Sequence, residues 1–187
     1  MNVQINKKRK GNKITLSIQK EGKEPYIIID SFPTENFRDS KLRNIGKISI
    51  SITGQKDQQI LIPDVKYDNT YFGYDICVSE DGNILAVGCP GNTYEDVNGV
   101  GSVFVYKLIN NRFVLRDVVL PEKIIPNLYF GSYVKINGNI LNIGCLSLGM
   151  IMDGITEDIR LETINLEKLS IDNYKSRVKQ HIKYRRR

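Results

Sequence analysis

Apolar and polar residues alternate with period two along several short stretches of the chain. The clearest are Ile14-Thr15-Leu16-Ser17-Ile18, Ile48-Ser49-Ile50-Ser51-Ile52, and Val103-Phe104-Val105-Tyr106 with its neighbours. Successive side chains of a strand point to opposite faces, so this alternation predicts half-buried β-strands. β-Branched and aromatic residues dominate these runs, which suits a pleated surface packed on one side. Turn chemistry falls between them: Glu21-Gly22, Asp81-Gly82-Asn83, Asn98-Gly99, Asn110-Asn111 and Asn137-Gly138-Asn139. Asn-Gly and Asp-Gly pairs reach the positive φ values that tight hairpins need. Helical periodicity is missing from residues 14–150, and this region reads as all-β. Past residue 170 the period changes. Ile171, Tyr174, Val178 and Ile182 share one stripe of a helix, with Lys and Arg around it, which predicts a short basic amphipathic helix.

The chain also repeats itself. Tyr71-Phe72-Gly73, then Gly82-Asn83-Ile84-Leu85-Ala86-Val87-Gly88-Cys89, recurs as Tyr129-Phe130-Gly131, then Gly138-Asn139-Ile140-Leu141-Asn142-Ile143-Gly144-Cys145. Gly101-Ser102-Val103-Phe104-Val105-Tyr106, Leu120-Pro121 and Asn127-Leu128-Tyr129-Phe130-Gly131 match an earlier series. That series is Gly46-Lys47-Ile48-Ser49-Ile50-Ser51, Ile62-Pro63 and Asn69-Thr70-Tyr71-Phe72-Gly73. A period of roughly 56–58 residues points to stacked sheet units. About three four-stranded antiparallel units are expected, over 12–66, 67–124 and 125–172. The competing arrangement is a single β-sandwich whose hairpins happen to look alike.

Phe72-Gly73, Asp81 to Pro90 and Gly99 to Tyr106 together resemble the FG-GAP repeat, the unit of the integrin α-subunit β-propeller and of related bacterial and viral propeller proteins. Phe72-Gly73 matches its FG element, Gly88-Cys89-Pro90 its Gly-Ala-Pro with Cys for Ala, and Gly101-Ser102-Val103-Phe104-Val105-Tyr106 the strand that follows. The next copy keeps Phe130-Gly131 and Gly144-Cys145 but has Leu146 in place of Pro. The resemblance implies a partial β-propeller in which Phe72, Gly73, Gly82, Gly88, Pro90, Gly101, Phe130, Gly131, Gly138 and Gly144 define the repeat. Family members often carry a calcium loop of alternating carboxylates. Here Glu80 and Asp81, or Asn137 alone, stand before the turn glycines and cannot supply six to eight oxygen ligands. Three units are also fewer than the four to eight blades of a closed propeller.

Charge adds a second layer. The formal net charge is +6, but Lys7, Lys8, Arg9, Lys10 and Lys13 precede every acid, and Lys175, Arg177, Lys179, Lys183, Arg185, Arg186 and Arg187 follow every acid. These two groups hold twelve cations, so residues 14–174 between them carry −6. The expected organisation is a basic N-terminal arm (1–13), a repeat domain (14–172) and a basic C-terminal tail (173–187), with both termini seeking an anionic partner. Apolar runs are too short to span a bilayer, and the N-terminus lacks the apolar core of a signal peptide, so an intracellular or virion location is expected. Cys77, Cys89 and Cys145 form no C-x-x-C pair and read as free, mostly buried thiols.

Catalytic chemistry does not stand out. His181 sits among cations, and Cys89 and Cys145 follow glycine at matching repeat positions, where a small core residue packs. Asp64, Asp68, Glu95 and Asp96 are loop carboxylates able to meet a cation or a basic partner. The expectation is a non-enzymatic interaction module, without cofactor or metal, that assembles with other subunits or with itself. Two alternatives stand beside it. One is a structural component, such as a minor capsid protein, of a large DNA virus. The other is a nucleic-acid-binding protein acting through its basic termini, whose phosphate contacts would weaken steeply with salt.

Overall fold

A computed structural model describes residues 3–20, 22–24, 26–36, 42–64, 67–146 and 161–169. Among these residues every regular element except one short 3-10 turn is a strand, in agreement with the alternating pattern. The first sheet runs β1 (Val3–Lys10), β2 (Lys13–Lys20), β3 (Ile27–Phe32), β4 (Lys47–Ile52) and β5 (Gln59–Leu61). The second holds β6 (Ile76–Val78), β7 (Ile84–Cys89), β8 (Ser102–Ile109) and β9 (Arg112–Val119). The third holds β10 (Phe130–Asn137), β11 (Ile140–Cys145) and β12 (Leu161–Asn165), followed by the 3-10 turn Leu166–Lys168. All neighbours are antiparallel and follow chain order, and the described strands do not close into a barrel.

Strand counts depart from four per unit. The third sheet shows three strands among the described residues, and the first has five. The extra strand is β1, formed by residues expected to be a free basic arm. It pairs along its whole length with β2, from Val3↔Lys20 to Lys10↔Lys13. The Gly11-Asn12 turn closes this hairpin with Gly11 at φ +59°, the two-residue connection that favours right-handed strand twist. The expected helix over Ile171 to Ile182 lies outside the described residues.

The three sheets stack face against face. Ile14, Leu16, Ile29, Ile48 and Ile50 of the first sheet pack on Leu85, Val87, Phe104 and Tyr106 of the second. The opposite face of the second sheet, through Ala86, Val103, Val105 and Val119, packs on Val134, Ile136, Leu141 and Ile143 of the third. Val103 to Tyr106, expected to be half-buried, is therefore buried on both sides. A middle layer has no solvent face, and its strand reads as a continuous apolar run.

Both outer faces are mostly polar, with Ile28 and Ile60 exposed on the first sheet and Ile140 on the third. On the first sheet Thr15 Oγ1 donates to Asp30 (2.6 Å), Ser49 Oγ donates to Gln58 Oε1 (3.0 Å), and Gln58 Nε2 donates to Ser51 Oγ (2.9 Å). The third sheet turns Tyr133, Lys135 and Asn137 to solvent.

Adjacent sheets are joined twice by the same backbone arrangement. At the first joint the amides of Asn69, Tyr71 and Phe72 donate to the carbonyls of Arg43, Asn44 and Ile45 at 2.8–3.0 Å. At the second, Asn127, Tyr129 and Phe130 donate to Asn98, Gly99 and Val100 at 2.8–3.0 Å. The left-handed residues correspond one to one: Asn69 (+59°) with Asn127 (+57°), Tyr71 with Tyr129 (both +53°), Gly73 (+88°) with Gly131 (+89°), and Gly46 (+80°) with Gly101 (+84°). Asn98-Gly99, read from sequence as a hairpin turn, belongs to the second joint. The φ of Gly99 (+65°) serves an approach between sheets, not a turn between neighbouring strands.

All three thiols are free; Cys89 and Cys145 are buried and Cys77 is half-buried. Burial pushes the Cys89 thiol up to about 12, against weaker opposing hydrogen bonds that involve Thr70 and Ser102. Burial likewise raises Cys77 to about 12; the Lys7 cation opposes this and Asp75 adds to it. A raised pKa keeps each thiol protonated at neutral pH. Against a reference value of 9.0, the thiolate fraction at pH 8 should fall about a thousand-fold. Iodoacetamide should therefore leave both residues unmodified in the native protein and label them in denaturant, as read by mass spectrometry. Rapid native labelling of Cys89 would show that its core opens locally.

Candidate functional site

The cations predicted to seek an anionic partner divide by strand parity. In β1, Lys7 and Arg9 lie on the inner side. Lys7 Nζ meets Asp75 Oδ1 at 2.5 Å, Arg9 Nη2 donates to the Tyr74 carbonyl at 2.8 Å and reaches Asp75 at 3.8 Å, and the Arg9 guanidinium lies 5.8 Å from the Tyr74 ring centroid. Lys8 and Lys10 point to the opposite face and are exposed. Lys8 and Lys10 are thus the β1 cations that face away from Asp75, while Lys7 and Arg9, though held to it, keep side chains 38% and 48% exposed. Lys175, Arg177, Lys179, Lys183, Arg185, Arg186, Arg187 and His181 lie outside the described residues.

The repeat-defining residues are structural in their placement. Phe72 and Phe130 are fully buried, and Phe72 meets Phe104 edge-on at 5.2 Å between centroids. A Cβ on Gly101 would sit 2.2 Å from the Phe130 carbonyl oxygen, and one on Gly88 2.0 Å from that of Gly131. Gly73 is approached by Ser31, whose hydroxyl donates to the Gly73 carbonyl. Gly82 and Gly138 are turn glycines at φ +76° and +53°. Pro90 and Gly144 are buried.

Two depressions open at the sheet ends. The first, about 450 Å³, lies between the β6–β7 turn and the β10–β11 turn and holds Glu80, Asp81, Lys107, Arg116 and Glu167. Its polar groups are largely committed to local structure. Burial works to raise the Asp81 carboxyl, but donation from Ser79 Oγ and from the Asn83 amide and side chain outweighs it and lowers the pKa. Arg116 Nε donates to the Leu169 carbonyl at 3.1 Å, and Asn139 Nδ2 donates to Glu167 at 2.7 Å. This is turn and cap chemistry.

The second depression, about 500 Å³, lies across both joints and is lined by Tyr67, Asn69, Tyr71, Asn98, Asn127 and Tyr129, with Asp68, Thr93 and glycines between them. Its loop is pinned from below: Gly91 comes so close to the first joint that a Cβ would lie 1.7 Å from the Asn69 carbonyl oxygen. A tight turn at Tyr94 to Val97, closed by amide–carbonyl bonds in both directions (3.1 and 2.8 Å), places Glu95 and Asp96 at φ +50° and +64°. Tyr67 Oη donates to Asp96 Oδ1 at 3.1 Å, and the Arg43 amide donates to Asp68 Oδ1 at 2.7 Å. Of the four carboxylates predicted to meet a cation or basic partner, Asp68 lines this groove and Asp96 buttresses it. No group of three or more His, Cys, Asp or Glu side chains able to hold a metal occurs among the described residues. Nor is any helix among them long and apolar enough to cross a membrane.

Four of the groove's six tyrosines and asparagines, Asn69, Tyr71, Asn127 and Tyr129, were visible in the sequence as the N-x-Y-F-G repeat, and Asn98 as a turn residue. The duplicate Asn and Tyr could have been singled out there, because burying Phe and Gly requires neither. The groove is polar and aromatic, lined by hydrogen-bonding groups and ring faces. No known protein family matches this chain, and no curated protein matches it.

Proposed function

We propose that the chain is a non-enzymatic interaction module built from three FG-GAP-like, blade-like β units that form an open stack and meet their partner at the joint groove. The observation that carries this reading is the twofold occurrence of one joint, with matched amide–carbonyl bonds and matched left-handed residues at both sites. A coincidental similarity of hairpins would not reproduce contacts between sheets. The mostly polar outer faces support a stack that ends on its own surfaces and docks as a unit. In a larger particle, such as a virion, it would be a bound component.

Sedimentation at micromolar concentration should give a single monomeric species in which Tyr67, 40% exposed, is readily nitrated by tetranitromethane. A discrete oligomer that protects Tyr67 and Tyr71 from nitration would overturn the reading, because the groove would then be an interface between copies of the chain.

A further inference from the structure

We infer that the groove across the two joints binds a neutral, polyhydroxylated ligand, a glycan chain, with its tyrosine rings against sugar faces and its carboxamides on sugar hydroxyls. This rests on the preceding reading that the groove is the working surface, and it names the ligand class.

The lining selects among ligand chemistries. Among the described residues it contains three tyrosines, three asparagines, one threonine, one carboxylate and glycine, with neither a cation nor an aliphatic side chain. A phosphate-bearing ligand draws its affinity from Lys and Arg, which are missing from this lining. A peptide anchored by an aliphatic side chain needs an apolar pocket, also missing. A pyranose presents a C–H face that stacks on a phenol ring and a rim of hydroxyls that both donate and accept. Aromatic rings with a polar handle, beside planar amides, match both parts.

Internal hydrogen bonding leaves the right atoms free. Asn69 Oδ1 accepts from Asn44 Nδ2 (2.8 Å) and Tyr71 Oη (3.4 Å), Asn127 Oδ1 accepts from Tyr129 Oη (3.4 Å), and Asn98 Oδ1 accepts from Thr93 Oγ1 (3.3 Å). Each carboxamide is thereby oriented by its oxygen and keeps its Nδ2 donors for a ligand. Asp68 Oδ1 is occupied by the Arg43 amide, and its second oxygen remains as an acceptor.

The backbone points the same way. Tyr71 and Tyr129 both adopt φ +53°, a conformation that favours Gly or Asn and costs a bulky residue strain. Glycine would satisfy the joint, yet a tyrosine occupies the strained position in both copies and lines the groove each time. Two copies of one Asn-x-Tyr element on a single groove also suit a ligand that itself repeats.

The test uses the full chain in isothermal titration calorimetry and saturation-transfer NMR. The probes are tetrasaccharides of β-1,4-glucose, α-1,4-glucose, mannose and β-1,4-N-acetylglucosamine; inositol hexakisphosphate, an oligo-dT and a leucine-rich peptide serve as controls. At least one neutral tetrasaccharide should bind. Tyr67→Ala and Asn98→Ala, both at exposed side chains, should each weaken it about ten-fold or more with the melting temperature unchanged. Lys8→Ala, on the outer face of β1, should leave affinity as it is. The inference is overturned if no tetrasaccharide binds, if binding survives both groove substitutions, or if only an anionic or peptide control binds. A monomer with reactive groove tyrosines that ignores every sugar would remove the glycan and leave the interaction module standing.

Discussion

Gly101→Ala should destroy or severely destabilise the fold, whereas Gly54→Ala should leave it standing. The two glycines have nearly the same backbone conformation, at φ +84° and +88°. Alanine carries a similar left-handed penalty at each, about 1–2 kcal/mol. Their surroundings differ completely. Nothing lies within 4 Å of a Cβ at Gly54, while a Cβ at Gly101 would meet Phe130 backbone oxygen at 2.2 Å and nitrogen at 2.5 Å. Those atoms belong to a paired segment, since the Phe130 amide donates to Val100 (3.0 Å) and the Tyr129 amide to Gly99 (2.8 Å). Relief therefore requires the third sheet to separate from the second, exposing fully buried Phe130 and its neighbours. Opening that interface should cost more than about 4 kcal/mol, a large share of a domain's total stability. Urea denaturation with matched circular dichroism would measure the difference between the two variants. Gly46→Ala, where the clash is 2.1 Å from the Phe72 oxygen, should reproduce the effect at the first joint. Equal stability of Gly101→Ala and Gly54→Ala would mean that the joint is loosely held.

Asp75→Ala should be strongly destabilising. Asp75 is 4% exposed and reaches all three sheets. From the second sheet's end it accepts Lys7 of β1 through Oδ1 (2.5 Å) and the Val134 amide of β10 through Oδ2 (3.0 Å). Its own carbonyl accepts the Gly88 amide at 2.8 Å. Without the carboxylate, the buried Val134 amide has lost this acceptor and Lys7 has lost its counterion. Breaking a buried pair from one side costs about 3–5 kcal/mol; Lys7 is 38% exposed, so hydration recovers part, and about 3 kcal/mol is expected. Asp75→Asn, which keeps an acceptor for Val134, should lose about half as much. A Lys7→Met/Asp75→Asn cycle should give a coupling of about 1 kcal/mol, little changed by salt because buried pairs are weakly screened. An Asp75→Ala variant as stable as the parent would show that the carboxylate is not a tie between sheets.

This tie draws the basic N-terminal segment into the first sheet. Four successive cations, Lys7 to Lys10, read as a basic arm seeking an anionic partner, as unpaired charge runs do. Gly11-Asn12, a two-residue hairpin signal, was the available contrary mark. What outweighed the charge was a single acid, 68 positions further on, that accepts Lys7 and lies near Arg9 while strand parity sends Lys8 and Lys10 outward. Pairing over such a separation leaves no local trace. The groove was hidden for the same reason: its tyrosines and asparagines come from segments joined only when sheets stack.

The sequence by itself determined the alternating strands, most of the hairpin turns between them and their antiparallel pairing, because period-two alternation and positive-φ turn residues act over a few neighbours. It also marked, through the repeated Phe-Gly and Gly-Cys positions, where backbone must come close. Tertiary structure alone decided that the second sheet is covered on both faces, that Asn98-Gly99 joins sheets, that β1 is held by Asp75, and that two Asn-x-Tyr elements share one groove. Each of these depends on which face meets which, and that is settled by packing between segments distant in the chain.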